Sequence, residues 1–197
     1  MKPKLILVGG GGHCAACIDV IERENKFIIA GIVDKDVTGG MLLGYPILGS
    51  DEDLKKLRAS YDYALITIGQ IKSPSVRIRL FGLAKSLGFT LPTITSPRAY
   101  VSEHALLGEG TIIMHDALIN SRANIGCNCI INTKALIEHD VVVEDNCHVS
   151  TGAIINGGAI VRKGTFVGSN AVTKESVETK ENDFIKAGSL FKGYAND

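Results

Sequence analysis

The chain has 197 residues, 45% of them hydrophobic, no Trp, and 21 Lys plus Arg against 21 Asp plus Glu. That balance leaves no net field to steer it to nucleic acid or an anionic membrane, and the length suits two small domains. Near the N-terminus the one apolar run, Leu5 to Val8, gives way to four glycines; it is too short for a signal core or a membrane span, so a cytoplasmic location is expected.

In chain order, Leu5 to Val8 reads as a buried strand and His13 to Arg23 as a helix with Ala16, Cys17, Val20 and Ile21 on one face. Phe27 to Val33 is a second strand that ends at Asp34. Ser50 is placed to cap a helix over Asp51 to Leu57, whose acidic first turn suits the helix dipole. Tyr63 to Ile68 is a third strand, and Ser75 to Leu87 a third helix closed by Gly88. Alternating strands and helices predict a small Rossmann-like domain over residues 1–95, with a parallel sheet.

Its ligand belongs where the first strand meets the first helix. Gly9, Gly10, Gly11 and Gly12 free the backbone to turn tightly and to bring amide N–H groups to a phosphate at the helix N-terminus. Gly10, Gly12 and Ala15 satisfy G-x-G-x-x-A, and Asp34, followed by Lys35, stands near the ribose-binding distance of about 20 residues. Gly11, Gly12, His13, Asp34 and Lys35 are therefore expected to contact substrate, with Gly69 and Gln70 as the opposite lip. A full dinucleotide site needs two such halves, and this segment holds one, so a nucleoside diphosphate bearing a small group fits better. A glycine turn that only packs strand on helix is the alternative reading.

The second half has a different rhythm. From Val101 through Leu107, Ile113, Ile119, Ile125 and Ile131 to Val167 every sixth residue is aliphatic, and four places after each stands a small or short side chain, from Ala105 to Ala171. Neither helix nor flat strand repeats every six residues; the hexapeptide repeat of a parallel β-helix does. Three hexads make a coil of eighteen residues, so 101–172 form four coils in a domain over 96–172, followed by a tail at 173–197. Cys129 and Cys147 fall on small inward positions, and Cys14 and Cys17 form a C-x-x-C that is redox-active in other settings. The five cysteines, an odd number, argue against a disulfide framework.

Exceptions to the repeat carry the chemistry. His139 and Asp140 fill outward places of one hexad and His148 the last place of another, so neither imidazole faces the core. Residues eighteen apart stack, which puts Gly157 and Gly158 over His139 and Asp140. An imidazole backed by a carboxylate suits a base that takes a proton from an amine or hydroxyl attacking a thioester; contact between adjacent residues requires a corner of the coil. His139 and His148 are half a coil apart, so they share a substrate only if copies pack side by side, as a threefold assembly allows.

The hexad array, Gly9 to His13, I-E-H-D at Ile137 to Asp140 and H-V-S-T-G-A at His148 to Ala153 resemble the bacterial nucleotide-aminosugar N-acetyltransferases of the left-handed β-helix type, whose relatives include sialic acid O-acetyltransferases. The resemblance implies that the α/β domain binds a UDP-, GDP- or dTDP-linked 4-amino-4,6-dideoxy sugar. It also implies a left-handed β-helix homotrimer that binds acetyl-CoA between subunits, without a metal. On that resemblance His139 is the general base, Asp140 its partner, and Asn132 lines the sugar and amine site. His148 then meets the acetyl or pantetheine end of acetyl-CoA, with Gly157, Gly168 and Ser169 along its arm. Asp140 stands where some members have Glu, and the closing A-G-x-P-A-K appears as Ala187 to Lys192 without its proline, Ala187 and Gly188 remaining for the distal part of CoA.

Three other readings stay open at this level: a sugar hydroxyl as acceptor, a non-catalytic nucleotide-sugar-binding trimer, and a zinc enzyme of the γ-carbonic anhydrase type. The last has His104, His115, His139 and His148 available but lacks the H-x4-H ligand spacing.

Overall fold

The computed structural model describes residues 1–35 and 40–194. Period-two alternation builds the first domain around strand β1 (Lys4–Val8), whose Leu5, Ile6, Leu7 and Val8 are all fully buried. Leu5 and Leu7 point to helix α1 (Gly12–Glu24), whereas Ile6 and Val8 point to the opposite face. β1 pairs in parallel with β2 (Ile28–Val33) on one side. Beyond β2 the chain forms β3 (Met41–Leu42) and β4 (Tyr45–Gly49), then a 3-10 turn at Asp51–Asp53 that runs into α2 (Leu54–Leu57). β5 (Tyr63–Ile66) pairs in parallel with β1 on its other side and leads to α3 (Ser75–Ser86). The sheet order is β3-β4-β2-β1-β5, with α2 and α3 on the face that Ile6 and Val8 cover.

Two details differ from the sequence reading. The pair β3 and β4 was not anticipated: Leu43 and Gly44 both have positive φ (48° and 85°), a two-residue reversal that joins β3 antiparallel to β4 while β4 runs parallel to β2. The expected helix over Asp51 to Leu57 begins as a 3-10 turn because Ser50 and Asp53 close a reciprocal capping box, the Ser50 amide donating to Asp53 Oδ2 at 2.8 Å.

In the second domain each hexad contributes a two-residue strand, and strands eighteen residues apart pair in parallel, giving the three flat faces of a left-handed β-helix. The first face carries Ile112–Ile113, Ile130–Ile131, His148–Val149 and Phe166–Val167; the second carries Leu118–Ile119, Leu136–Ile137 and Ile154–Ile155; the third carries Asn124–Ile125, Val142–Val143 and Ile160–Val161. Corners between faces fall on left-handed backbone every six residues, from Gly110 and Asp116 through Asp140 and Asn146 to Asn182 and Gly188. All but Arg122, Lys134 and Ser176 of these corner residues are Gly, Asn or Asp, the types that tolerate positive φ. The aliphatic series and the small series meet inside, where Ile113, Ile119, Ile125, Ile131, Ile137, Val143, Val149 and Ile155 are at most 1% exposed. Each such side chain contributes about 1.5–3 kcal/mol on burial.

The coil extends past both expected limits. Ile94–Thr95 pairs with Ile112–Ile113, and Phe184–Ile185 and Leu190–Phe191 pair with Phe166–Val167 and Val172–Thr173. Residues 173–191, expected as a tail, form a further coil whose inward places hold Thr173 and Thr179 instead of aliphatic residues. Their hydroxyls accept the Asn156 and Arg162 amides at 2.9 and 2.8 Å, which lets threonine sit in a core position.

The first face of the coil packs on the N-terminal domain: Ile94, Ile112, Met114 and Ile130 join α1 in one core. Arg77 of α3, 1% exposed, crosses the junction and donates to the carbonyls of Ile66, Ile68 and Asn128 and to Asn128 Oδ1. Among the described residues no helix is long and apolar enough to cross a membrane.

Candidate functional site

A cleft of about 450 Å³ opens where β1 ends. Gly9 sits at φ +110° with Ile68 where a Cβ would be, so only glycine fits. Gly10 donates its amide to Asp34 Oδ2 at 2.5 Å, and Gly11 caps α1 with no side-chain partner. The Gly10 amide is thus engaged by Asp34, and the first turn of α1 from Gly12 presents backbone N–H groups at the positive end of the helix dipole. Gly11, Gly12, His13, Asp34, Lys35 and Gly69 all line this cleft, with Asp51, Val76, Arg79 and Leu80 as its other wall.

Gln70 does not form the lip expected of it. It is 2% exposed and turns into the domain junction, where its Nε2 donates to the Gly164 carbonyl at 3.0 Å and its own carbonyl meets His148.

His148 points outward from the coil, but the N-terminal domain covers it and leaves it 7% exposed. Its hydrogen bonds fix its tautomer. The Gln70 carbonyl, 2.6 Å from Nδ1, can only accept, so Nδ1 carries the proton. Asn132 Oδ1 accepts from the Thr133 amide at 2.8 Å, which turns its Nδ2 toward His148 Nε2 at 3.1 Å, an acceptor. Burial, with the nearby charge of Arg77, lowers the His148 pKa to about 4. The ring of His13 lies 6.4 Å away and edges toward Cys17, its Nε2 3.4 Å from Sγ. Burial, then Arg77 and His148, lower the His13 pKa to about 3. His13, Asn132 and His148 therefore form one neutral polar cluster next to the glycine turn. Burial also pushes the Cys14 thiol up to about 11 and that of Cys17 further, which disfavours the thiolates that C-x-x-C redox chemistry needs.

His139 and Asp140 occupy a different corner. Asp140 has φ +62°, and this left-handed corner lets adjacent side chains meet: His139 Nδ1 lies 2.7 Å from Asp140 Oδ2. Arg122, one coil below, grips the same carboxylate with Nε at 2.6 Å and Nη2 at 2.8 Å. Arg122 first, then His139, hold the Asp140 carboxyl well below the usual carboxylate range. An ionised Asp140 only accepts, so His139 Nδ1 donates, which in the neutral ring leaves the lone pair on Nε2. Among the described residues Nε2 makes no hydrogen bond, and the ring rests on Gly157, where an added Cβ would lie 2.9 Å from Cε1. Arg122 escaped the sequence reading, although the eighteen-residue stacking that placed Gly157 above His139 also places Arg122 below Asp140.

The remaining expected residues split between corners. Gly168, Ser169, Ala187 and Gly188 come together, with the Gly188 amide donating to the Ser169 carbonyl at 2.9 Å and Gly168 pressed against the Ala187 backbone. Gly157 lies at the His139 corner instead. Asn132 accompanies His148, not His139. Among the described residues no three His, Cys, Asp or Glu side chains gather as metal ligands.

A Rossmann-like domain thus sits on a left-handed β-helix, with a carboxylate-backed imidazole on a coil corner. Residues 4–82 match the family model of the PglD N-terminal domain. The acetyltransferase domain of PglB from Neisseria gonorrhoeae is similar in fold, with TM-score 0.91 and 23% identity over 100% of this chain and 94% of that one. PerB from Caulobacter crescentus, solved with CoA and GDP-perosamine, is 28% identical with TM-score 0.69 over 94% of this chain and 93% of that one. WeeI from Acinetobacter baumannii has TM-score 0.67 and 21% identity over 90% and 94%. No curated protein sequence matches the chain. Residues 4–82 thus match the PglD N-terminal domain, and over nearly its whole length the chain is similar in fold to solved sugar acetyltransferases.

Proposed function

We propose that the chain transfers an acetyl group from acetyl-CoA to the 4-amino group of a nucleotide-linked 4-amino-4,6-dideoxy sugar. The glycine-turn cleft holds the nucleotide diphosphate, and His139 acts as general base. The observation that carries this reading is the His139 ring, fixed through Nδ1 by an ionised Asp140 and open at Nε2. His139 Nε2 takes a proton from the amine as its nitrogen attacks the acetyl carbonyl carbon. The carbon–sulfur bond then breaks, and the proton passes from the imidazolium to the departing CoA sulfur, leaving amide and thiol. PerB, solved with CoA and a GDP-linked sugar, supports the pairing of cosubstrates.

In our reading the site is shared between copies of a homotrimer. The N-terminal domain that holds the nucleotide cleft packs on the first face, where the His13–Asn132–His148 cluster lies, whereas His139 lies at the junction of the second and third. The outward row of the second face is apolar throughout, with Tyr100, Leu118, Leu136, Ile154, Val172 and Leu190, its ends Tyr100 and Leu190 59% and 57% exposed. A second copy is the natural cover for such a row. The test is thiol release from acetyl-CoA with UDP-, GDP- and dTDP-linked 4-amino sugars, for the wild type, His139→Ala, His148→Ala and co-expressed mixtures of the two variants. Either variant alone should be inactive, and mixed oligomers should regain part of the rate because some sites then draw both intact residues. Activity in His139→Ala, or no recovery in the mixture while both variants stay folded, rejects the shared site.

A further inference from the structure

The far wall of the nucleotide cleft has a chemistry that the diphosphate and ribose do not use. We infer that Asp51 and Arg79 read the base of the sugar nucleotide and that this base is guanine, an inference that rests on the nucleotide-cleft reading above. Asp51 follows β4 at the head of the 3-10 turn, and Arg79 lies on α3; their side chains meet on this wall, Arg79 Nη2 2.9 Å from Asp51 Oδ2. Both line the same cavity as Gly10 to His13 and Asp34. The same lining includes the apolar Val33, Ile68, Val76 and Leu80, of which Val76 is 46% exposed. A planar base with apolar faces and a polar edge suits such a lining, its ring against the exposed Val76 and its edge toward Asp51 and Arg79.

The pair then selects among bases by its order of acceptors and donors. The Asp51 carboxylate accepts only, and it takes two adjacent N–H groups best. Arg79 keeps further N–H donors beyond the one it gives to Asp51. Guanine presents the complementary row: N2–H and N1–H as neighbouring donors, then O6 as acceptor. Uracil and thymine present one N3–H between two carbonyls, so a carboxylate that meets the donor also meets a carbonyl oxygen with its second oxygen. Adenine presents one donor beside a ring-nitrogen acceptor. A site built to take hydrogen bonds from a base rejects one that cannot supply them more strongly than a site of pure shape does.

Calorimetric titration of GDP, UDP, dTDP and ADP into the purified full chain tests this, together with the variant Asp51→Asn. GDP should bind tightest in the wild type, and Asp51→Asn should weaken GDP by about 10- to 100-fold while changing UDP little. UDP or dTDP binding as tightly as GDP overturns the inference but leaves the nucleotide cleft standing. Binding of none of the four overturns both. A folded Asp51→Asn protein, judged by its thermal transition, that holds GDP as well as the wild type does assigns the selectivity elsewhere and overturns the role of Asp51.

Discussion

Asp140→Asn removes one charge at a position where the backbone does not resist, because asparagine also tolerates φ near the +62° seen here. In the wild type the carboxylate takes three hydrogen bonds, two from Arg122 at 2.6 and 2.8 Å and one from His139 Nδ1 at 2.7 Å. An amide has only one oxygen for these donors. Arg122 offers nothing but N–H groups, so it claims that oxygen, and the amide NH2 turns to His139 Nδ1. The ring answers by moving its proton to Nε2, and the lone pair that takes the amine proton is gone. An analogous exchange behind a catalytic histidine costs about 10⁴ in kcat; the exposed His139 ring can shed its partner to water, so the expected loss is about 10²–10⁴. Asp140→Glu, which keeps the charge but is less at ease at positive φ, should retain more of the rate than Asp140→Asn. Steady-state thiol release, with melting curves as a fold control, measures both. A folded Asp140→Asn protein with kcat within about threefold of wild type would show that the carboxylate does not set the tautomer.

Three more outcomes follow from the same contacts. Gly157→Ala places a methyl 2.9 Å from His139 Cε1 and 3.0 Å from Nε2, so the ring must yield; kcat should fall by about 10–100-fold with little change in melting temperature, and an unchanged kcat would refute the contact. His13 and His148 have folded pKa values of about 3 and 4, below the ordinary 6.5 they regain on unfolding. The unfolded chain therefore binds more protons, and their stability contribution, complete above about pH 6.5, declines on acidification by up to roughly 1.4 kcal/mol per pH unit for each ring. Urea midpoints followed from neutral pH downward should fall less steeply in His148→Gln than in wild type; parallel curves would sink the assignment. Arg77→Met leaves the Asn128 side chain and three carbonyls without their donor and should cost about 3–5 kcal/mol in denaturant titration, the two domains uncoupling first.

How much of this was legible before the coordinates follows from the kind of signal each residue carries. The coil was legible because an aliphatic residue every sixth place has no rival explanation, and stacking at eighteen residues brought Gly157 to His139 correctly. Its last turn was lost because Thr173 and Thr179 stand where aliphatic residues were sought, and a threonine that satisfies its hydroxyl on neighbouring amides is invisible to a hydrophobic count. The reversal at Leu43 and Gly44 was missed because leucine is a poor sign of left-handed backbone. Gln70 was misplaced for a different reason: adjacency to Gly69 put it near the cleft, but its side-chain amide finds its acceptor, the Gly164 carbonyl, across the domain junction. Contacts between domains leave no periodic trace, so Arg77, the residue that joins them, was read only as part of a helix.

Two of the coil's four imidazoles, those of His139 and His148, show why the proposed base is His139 although His148 is better sheltered. Each holds Nδ1–H on an oxygen, which puts the lone pair of the neutral ring on Nε2, but the oxygens differ. Behind His148 stands the uncharged Gln70 carbonyl, in a buried place where desolvation and the Arg77 charge both oppose a second proton. Its lone pair is moreover occupied by Asn132. Behind His139 stands a carboxylate that Arg122 keeps ionised, and the ring is open to water and substrate. A general base must become a cation in the transition state, and of these two rings His139 is the one with a counter-charge already in place to receive it. His148 can accept a hydrogen bond and orient a group, but protonating it works against its surroundings. Burial that protects an imidazole thus disqualifies it as the proton acceptor, and the exposed corner, with two charged residues stacked one coil apart, meets the requirement that the interior cannot.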